Sequence, residues 1–173
     1  GRTSCIPGRT LNFIRSTAGL LAAAAAWGMS APTVGQCEYE ITAVIRAPEC
    51  PIIGPPPLTG RAINDDGRVV GWYEDCQGTG DHAFVWTPEA GLQELDIPVN
   101  NVVSARAMDI NNNGDICGWF AASDDGTGAR AFILTAESEF IEIPVPDGGN
   151  RIEAFAINDN QQVVGWWGDI VTG

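Results

Sequence analysis

The sequence contains no lysine, and its nine arginines are outnumbered by 22 aspartates and glutamates, which gives a formal net charge of -13. Nucleic acid phosphates and anionic lipid surfaces repel a protein of this charge. The composition therefore predicts that neither nucleic acid nor an anionic membrane surface is the partner.

Long apolar runs are also missing. The longest surrounds five consecutive alanines at 22–26 and extends for about ten residues, whereas a membrane-spanning helix needs about 20. The sequence therefore predicts no membrane span.

The same stretch has the pattern of a secretory signal peptide, with Arg9 and Arg15 before it and small residues up to Gly35 after it. We predict a leader over residues 1–35, cleavage after Gly35, and a secreted or cell-surface protein. Cleavage after Ala31 is less favoured because Pro32 follows. A buried alanine-rich helix is also disfavoured, since nothing downstream is helical enough to pack on it.

No cysteine pair has Cys-x-x-Cys spacing, and the single histidine, His82, has no local partner, so a zinc or redox site is disfavoured. Without the leader four cysteines remain, and an oxidising compartment allows three pairings of them. Cys37 and Cys50 are the favoured disulfide, because they bracket a predicted strand at 39–45 and a proline-bearing turn. Cys117 is predicted to be a small buried hydrophobe.

Glycine and proline are abundant, with 21 and 11 residues respectively, whereas no segment outside the alanine-rich stretch favours a long helix. Many turns suit short strands, and a hydrophobic fraction of 45% excludes wholesale disorder. The predicted fold class is all-β.

Three segments repeat one pattern: Ile-Asn, a four-residue run drawn from Asn, Asp, Gly, Gln and Arg, two aliphatic or cysteine positions, then Gly-Trp. A second block, containing Ala-Phe, follows in the first two copies. Equivalent positions of the repeat are spaced by 47 or 48, and the residues of the structural motif are Asn64, Asn111 and Asn158; Gly67 and Gly114; Gly71, Gly118 and Gly165; Trp72, Trp119 and Trp166; His82, Ala83, Phe84 and Trp86; and Ala131 and Phe132.

Each repeat is predicted to form four short antiparallel strands, because the Asn/Asp/Gly run is typical of a tight hairpin turn. The second strand, at 69–73, 116–120 and 163–167, carries apolar residues on both faces and should be buried on both. The glycine in its middle predicts close packing between units. Strands at 83–86 and 92–97 complete the first repeat.

A four-stranded unit of about 47 residues is typical of a propeller blade. We predict a leader at 1–35, a strand and proline-rich connection at 36–57, and repeats at 58–104, 105–151 and 152–173. Residues 60–173 hold about 2.4 units, whereas closure takes about four to eight. The expected assembly is therefore an incomplete propeller. Either the sequence is a fragment, which the missing initiator methionine favours, or several chains complete one another, and exposed strand edges predict self-association.

The block Ala-x-x-Ile-Asn-x-x-Gly-x-Val-Val-Gly, followed by His82-Ala83-Phe84, resembles the HAF repeat of bacterial extracellular repeat proteins. The resemblance covers about residues 58–173, and the second copy departs from it at Arg130 and Leu134. It implies export, a β-repeat architecture and a propeller-like assembly. It brings no activity, cofactor or catalytic residue.

Residues 109–114 match the first six positions of an EF-hand calcium loop, but the twelfth position is Phe120 instead of glutamate. Hairpin turn chemistry explains all three copies better, so no cofactor is predicted. Calcium bound by Glu74-Asp75 or Asp124-Asp125 stays an alternative hypothesis.

No residue is predicted to be catalytic. A general-base role for His82 is disfavoured because Arg130 takes its place in the next copy, and no nucleophile motif accompanies it. The three repeated tryptophans are predicted to pack in the core. The predicted function is a non-catalytic secreted or cell-surface module that binds a polysaccharide or protein. The alternatives are a secreted carbohydrate-active hydrolase or lyase, with its active site in missing repeats, and a calcium-dependent adhesion module.

Overall fold

A computed structural model describes residues 10–14, 40–50, 56–122 and 128–169. Over these ranges the protein consists of strands, turns and short loops without a helix, so no helix there could cross a membrane. The strands are β1 (Thr10–Ile14), β2 (Glu40–Ile45), β3 (Leu58–Ile63), β4 (Val69–Glu74), β5 (Asp81–Thr87), β6 (Gly91–Glu94), β7 (Val102–Ile110), β8 (Ile116–Ala122), β9 (Arg130–Leu134), β10 (Phe140–Ile143), β11 (Arg151–Ile157) and β12 (Val163–Gly168).

The sequence repeats coincide with antiparallel sheets. Strands β3 to β6 form one four-stranded sheet, unit 1, and β7 to β10 form a second, unit 2; within each, every strand pairs with the next along the chain. Strands β11 and β12 form a hairpin, unit 3. The predicted all-β class and the four-stranded antiparallel units are therefore confirmed.

Most of the predicted leader lies outside the described residues. Its only described segment is β1, which pairs in parallel with β2. The signal peptide and its cleavage after Gly35 stay predictions.

Apolar side chains fill three layers along the row of units. One lies between β2 and unit 1, a second between units 1 and 2, and a third between units 2 and 3. The second strand of a unit contributes to the layers on both of its sides, because its residues alternate between the two faces. Val69 and Val70, adjacent on β4, are 4% and 0% exposed, which confirms burial on both faces. Cys117 on β8 is fully buried and free, as predicted.

Unit 3 departs from this burial. Val164, the counterpart of Val70 and Cys117, is 66% exposed, and Trp166 is 46% exposed. The prediction that all three repeated tryptophans pack in the core is wrong for Trp166, because no described strand covers that face of β12.

The repeated glycine of the second strand faces the first strand of its own unit. A Cβ on Gly71, Gly118 or Gly165 would collide with a backbone carbonyl oxygen there, of Thr59, Arg106 or Glu153 respectively. The prediction of close packing between units at this glycine is therefore wrong.

A β-bulge explains the close approach. In unit 1 the register runs from Gly60 opposite Gly71 to Ala62 opposite Val70, so one residue of β3 is extra. The same shift recurs at Ala107/Asp109 in β7 and Ala154/Ala156 in β11. Because a bulge bends the strand and turns its backbone towards the neighbour, only glycine fits opposite it.

The predicted Cys37–Cys50 disulfide is wrong, because Cys50 is bonded to Cys76 at a Cα–Cα distance of 5.6 Å. Ile45 and Ala47 pack on unit 1, and this packing carries the chain from β2 towards the loop after β4, where Cys76 lies. Proximity in sequence favoured Cys37, which lies outside the described residues, but the tertiary packing of β2 determines the pairing of Cys50.

Candidate functional site

A groove opens at the junction of units 1 and 2. Its volume is about 390 Å³, and five of its lining residues are polar: Asp81, His82, Glu94, Asp96 and Ser104. Strand β5 supplies the first two, β6 and the segment after it supply the next two, and β7 supplies Ser104. The remaining walls are apolar, formed by Ala83, Leu95, Ile97, Val102, Val103 and Ala105.

An ion pair across the two units fixes one side of the groove. Arg106 Nε and Nη2 each lie 2.7 Å from Asp81 Oδ2, and the Asp81 side chain is only 12% exposed. Ser104 Oγ accepts the backbone N–H of Asp81 at 3.3 Å. Charge-assisted hydrogen bonds are stronger than neutral ones, so these contacts hold β5 against β7.

Arg106 also lies over the rings of two of the repeated tryptophans. The guanidinium carbon of Arg106 lies 4.7 Å from the ring centroid of Trp72 and 5.2 Å from that of Trp119. A cation over an indole face is an attractive arrangement. Trp72 and Trp119 are half-buried and contribute to the contact between units 1 and 2 through this shared cation.

His82 belongs to a three-residue cluster on unit 1. Its Nδ1 lies 2.7 Å from Glu94 Oε1, and its ring stacks on Tyr73 with centroids 5.2 Å apart. The Tyr73 hydroxyl donates to Glu94 Oε2 at 2.8 Å. Burial, reinforced by the Glu94 carboxylate, raises the pKa of Tyr73 above its usual range, so the hydroxyl stays protonated as a donor.

Unit 2 repeats this cluster with different chemistry. Arg130 takes the place of His82: its Nη1 lies 3.5 Å from Glu142 Oε1, and its guanidinium lies 4.6 Å from the Phe120 ring centroid. Glu142 and Phe120 stand where unit 1 has Glu94 and Tyr73. The position of His82 is thus one where a nitrogen-bearing side chain contacts both an aromatic ring and a carboxylate.

The Ala-Phe pairs of the second sequence block are core residues. All four residues are at most 1% exposed: Ala83, Phe84, Ala131 and Phe132. Trp86 is partly buried and packs in the same apolar layer as Phe84. In each sheet the alanine stands opposite the tryptophan of the second strand, and the phenylalanine stands opposite its glycine.

The three repeated asparagines connect successive hairpin turns. Asn64 Nδ2 donates to the carbonyl oxygen of Asn111 at 3.1 Å, and Asn111 Nδ2 donates to that of Asn158 at 3.0 Å. Each asparagine also closes its own turn, because its Oδ1 accepts the backbone N–H four residues later at 2.8–3.0 Å.

The turns have the backbone that their composition predicts. Gly67 and Gly114 have φ of +76° and +92°, and Gln161 takes the same place in unit 3 with φ of +57°. Glycine adopts this region without steric strain, which explains its use in the first two turns.

A second row of bonds joins the same turns. Asn112 Oδ1 accepts the backbone N–H of Asp65 at 3.0 Å, and Asp159 Oδ1 accepts that of Asn112 at 2.9 Å. The buried carboxylate of Asp115 accepts from Asn111 Nδ2 at 2.9 Å and from Gln161 Nε2 at 3.1 Å. Burial alone would raise the pKa of Asp115, but these bonds and the Ala136 N–H lower it below its usual value.

Residues 109–114, which match the first positions of an EF-hand loop, form further hydrogen bonds between units 2 and 3. Asp109 Oδ2 accepts the backbone N–H of Ile157 at 2.9 Å, and Asn113 Nδ2 donates to the Asp159 carbonyl at 2.7 Å. Within the described ranges, no group of three or more His, Cys, Asp or Glu side chains is placed to hold a metal ion.

Asp75, of the Glu74-Asp75 candidate for calcium, closes its own loop. Its Oδ1 accepts the backbone N–H groups of Gln77 and Thr79, and its Oδ2 accepts the Thr79 hydroxyl at 2.6 Å. The hydroxyl contributes most to lowering the pKa of this carboxyl. The Asp124-Asp125 pair lies outside the described residues, and the calcium hypothesis stays a prediction.

Sequence reasoning missed the groove and two of its organising residues, Arg106 and Asp81. Neither belongs to a repeated motif, so the repeat pattern gave no signal for them. The one available hint was that Arg106 precedes the repeated core of unit 2 and is among only nine basic residues.

No protein-family model matches the chain, and no curated protein sequence matches it significantly. Among solved structures it is similar to selenomethionine-substituted virginiamycin B lyase from Staphylococcus aureus, with a TM-score of 0.32 and 17% sequence identity. That match covers 69% of this chain and 42% of the lyase chain, so the chain spans less than half of that protein's length.

Proposed function

We propose that the protein is a non-catalytic extracellular module in which four-stranded units stack in a propeller-like row, and that it binds a polysaccharide in the groove between units 1 and 2. The observation that carries the proposal is the equivalence of His82 and Arg130. A residue that serves the chemistry of a reaction is specific to one place, whereas this position recurs in both units, each time beside a glutamate and an aromatic ring.

The groove's own groups support binding over hydrolysis. Asp81 is bonded to Arg106, and Glu94 is bonded to both His82 and Tyr73. Ser104 hydrogen-bonds to Asp81 and not to the histidine. Glycoside hydrolysis needs one carboxyl group that can donate a proton and another that can attack or activate water. Carboxylates engaged by fixed partners are better suited to accepting hydrogen bonds from sugar hydroxyls.

The charge of the chain narrows the ligand class. The protein has a net charge of -13, and three acidic residues line the groove, so the protein would repel an acidic polysaccharide. Apolar walls beside polar groups are typical of small-molecule and sugar sites. The proposed ligand is therefore a polysaccharide without acidic groups.

Export agrees with the covalent structure, because disulfides such as Cys50–Cys76 persist in oxidising compartments. It also agrees with the resemblance to bacterial extracellular HAF-repeat proteins.

Titration calorimetry of the full chain against a panel of neutral and acidic polysaccharides tests the proposal. Binding to a neutral member is expected, and Asp96→Ala should weaken it several-fold, since Asp96 is an exposed acceptor in the groove. Glu89→Ala, an exposed acid in the hairpin at the far end of β5, is the matched control and should bind as the wild type does. Release of reducing or unsaturated ends from the bound glycan would contradict a non-catalytic role.

A further inference from the structure

We propose that the polysaccharide site of the proposed function, on which this inference rests, continues from the groove into a second cavity between units 1 and 2. The protein then binds an internal stretch of a linear neutral chain, with consecutive sugars on both sides of the segment 94–96. The ligand class narrows from any neutral polysaccharide to a linear polymer that is held along its length.

The second cavity has a volume of about 400 Å³, close to the 390 Å³ of the groove, and both lie in the size range of small-molecule sites. Unit 1 lines it from β5, β6 and the segment after β6, and unit 2 lines it with Leu134, Ser138 and Phe140. Every lining residue belongs to unit 1 or unit 2, and each of these units has four paired strands. Two complete units therefore form the second cavity.

The groove and the second cavity adjoin along the segment 94–96, which we call the ridge. Its residues, Glu94, Leu95 and Asp96, line both spaces. Leu95 is buried, and its N–H donates to the carbonyl oxygen of Ala83 at 2.9 Å, which anchors the ridge to β5. Glu94 and Asp96 are exposed. A chain that crosses the ridge would meet both carboxylates and enter a cavity on each side.

The ridge presents acceptors for sugar hydroxyls. Glu94 is held in place by two contacts, because Oε1 lies 2.7 Å from His82 Nδ1 and Oε2 accepts the Tyr73 hydroxyl at 2.8 Å. A carboxylate has about four acceptor sites, so each oxygen of Glu94 keeps a further one. A fixed acceptor on the ridge can therefore bond the sugar that joins the two cavities.

The second cavity offers neutral polar groups beside an aromatic surface. Gln93 can donate and accept through its amide, and Ser138 can do so through its hydroxyl. The ring of Phe140 is partly buried and stacks on Phe132 with centroids 5.7 Å apart, which fixes its orientation. Apolar and aromatic walls with a few polar groups are typical of ligand sites. This lining suits an uncharged ligand, because its only acids are those of the ridge.

Ser138 has an unusual backbone for a serine. Its φ is +68°, whereas the corresponding turn of unit 1 uses a glycine, Gly91, in this region. The Ser138 N–H donates to the Thr135 carbonyl at 2.9 Å, and the Glu139 N–H donates to Thr135 Oγ1 at 3.1 Å, so the turn is held firmly. Residues other than glycine rarely adopt this region, and those that do cluster at ligand sites. The strained residue here lines the second cavity.

Two adjoining cavities predict a dependence on chain length. A chain long enough to occupy both is held at the second once it is bound at the first, and such linkage raises the overall affinity without a stronger contact at either place. A short oligosaccharide gains nothing from the second cavity. Length dependence therefore distinguishes the extended site from binding in the groove alone.

Calorimetry of the full chain with oligosaccharides of linear neutral glucan, mannan and xylan, from the monosaccharide to the octasaccharide, tests the proposal. Affinity should rise at least about tenfold along the series that binds, and then level off. Gln93→Ala and Ser138→Gly should remove most of this rise and leave the affinity of the shortest binding oligosaccharide unchanged. Glycine adopts the φ of Ser138 without strain, so that variant keeps the turn. Gln77→Ala, at an exposed position that lines neither cavity, is the matched control and should bind as the wild type does.

Affinity that is independent of chain length would overturn the extended site and leave the groove as the site of the proposed function. Equal weakening of short and long chains by Gln93→Ala would also overturn it, because one cavity would then hold the whole ligand. Absence of binding to every oligosaccharide at millimolar concentration, together with absence of binding to the polysaccharide panel, would overturn the proposed function and the extended site together.

Discussion

The side-chain amide of Asn111 donates to the backbone carbonyl of Asn158, one full repeat further along the chain, at 3.0 Å. Asn64 makes the same bond to Asn111 at 3.1 Å. An identical side chain thus closes one turn and bonds the next, so the repeat spacing of 47 residues is built into a row of hydrogen bonds. In a single copy the asparagine has the role of a turn residue, but across the copies it determines how successive units stack.

Asn111→Ala should destabilise the fold strongly. Asn111 is 4% exposed, and its replacement removes two hydrogen bonds of the side-chain amide. The Asp115 N–H loses its acceptor, and the Asn158 carbonyl loses its donor. Because Asp115 is buried and an unsatisfied buried donor carries its full desolvation penalty, the loss should be about 3 kcal/mol in urea unfolding. Asn160→Ala, at an exposed position of the next turn, should change stability by no more than about 0.5 kcal/mol. Equal effects would show that the row of bonds contributes little.

Gly118→Ala should be more damaging than an alanine at a turn glycine. A Cβ on Gly118 meets the Arg106 carbonyl oxygen and the Phe132 ring at once, and neither can move without disturbing the sheet. Gly78 has φ of +69° but open space around it, so Gly78→Ala should cost only about 1 kcal/mol. We expect Gly118→Ala to lose at least about 3 kcal/mol, or to fail to fold, by the same denaturant measurement. A smaller loss than that of Gly78→Ala would contradict the bulge explanation.

The Cys50–Cys76 disulfide should stabilise the chain, because it closes a loop with a sequence separation of 26. Chain-entropy estimates for such a loop give about 3 kcal/mol. We therefore expect reductant to lower the Tm of the wild type and to leave that of the Cys50→Ser/Cys76→Ser double variant unchanged. If the double variant still responded to reductant, another disulfide would be responsible.

Cys117 should not react with thiol reagents in the native state, because burial raises its pKa to about 12.

Asp115 should make stability fall in acid. Its folded-state pKa is lowered below that of the unfolded chain, so its contribution is fully present above the unfolded value of about 4 and is lost as pH falls through the folded pKa. The urea midpoint of the wild type should therefore drop as the pH falls below about 4, and Asp115→Asn should show a shallower drop. Asp65→Asn, at an exposed turn position, is the control and should keep the wild-type slope. Identical slopes for all three proteins would exclude Asp115 as a source of the acid sensitivity.

The repeat period, the strand order and the turn type could be predicted from the sequence, because each depends on local chemistry: Asn and Gly at the turns, alternating apolar residues in the strands. The backbone group that the repeated glycine faces could not be predicted from the sequence. A bulge in β3, β7 and β11 depends on one extra residue in a neighbouring strand, and Arg61, Met108 and Phe155, which occupy it, share no residue type. The pairing of Cys50 depended likewise on tertiary packing, and the groove depended on the non-repeated pair of Asp81 and Arg106.

Arg106→Lys should loosen the contact between units 1 and 2. The guanidinium of Arg106 bonds Asp81 through two nitrogens while lying between the rings of Trp72 and Trp119. A lysine ammonium is compact and strongly hydrated, and it cannot reproduce a planar fork between two rings. We expect a loss of about 1 kcal/mol in urea unfolding and a weaker binding of any ligand in the groove, because the Asp81 carboxylate loses its fixed position. Arg61→Lys, at an exposed bulge position, should change neither quantity. Unchanged stability and binding in Arg106→Lys would mean that charge alone, and not the stacked guanidinium, organises this side of the groove.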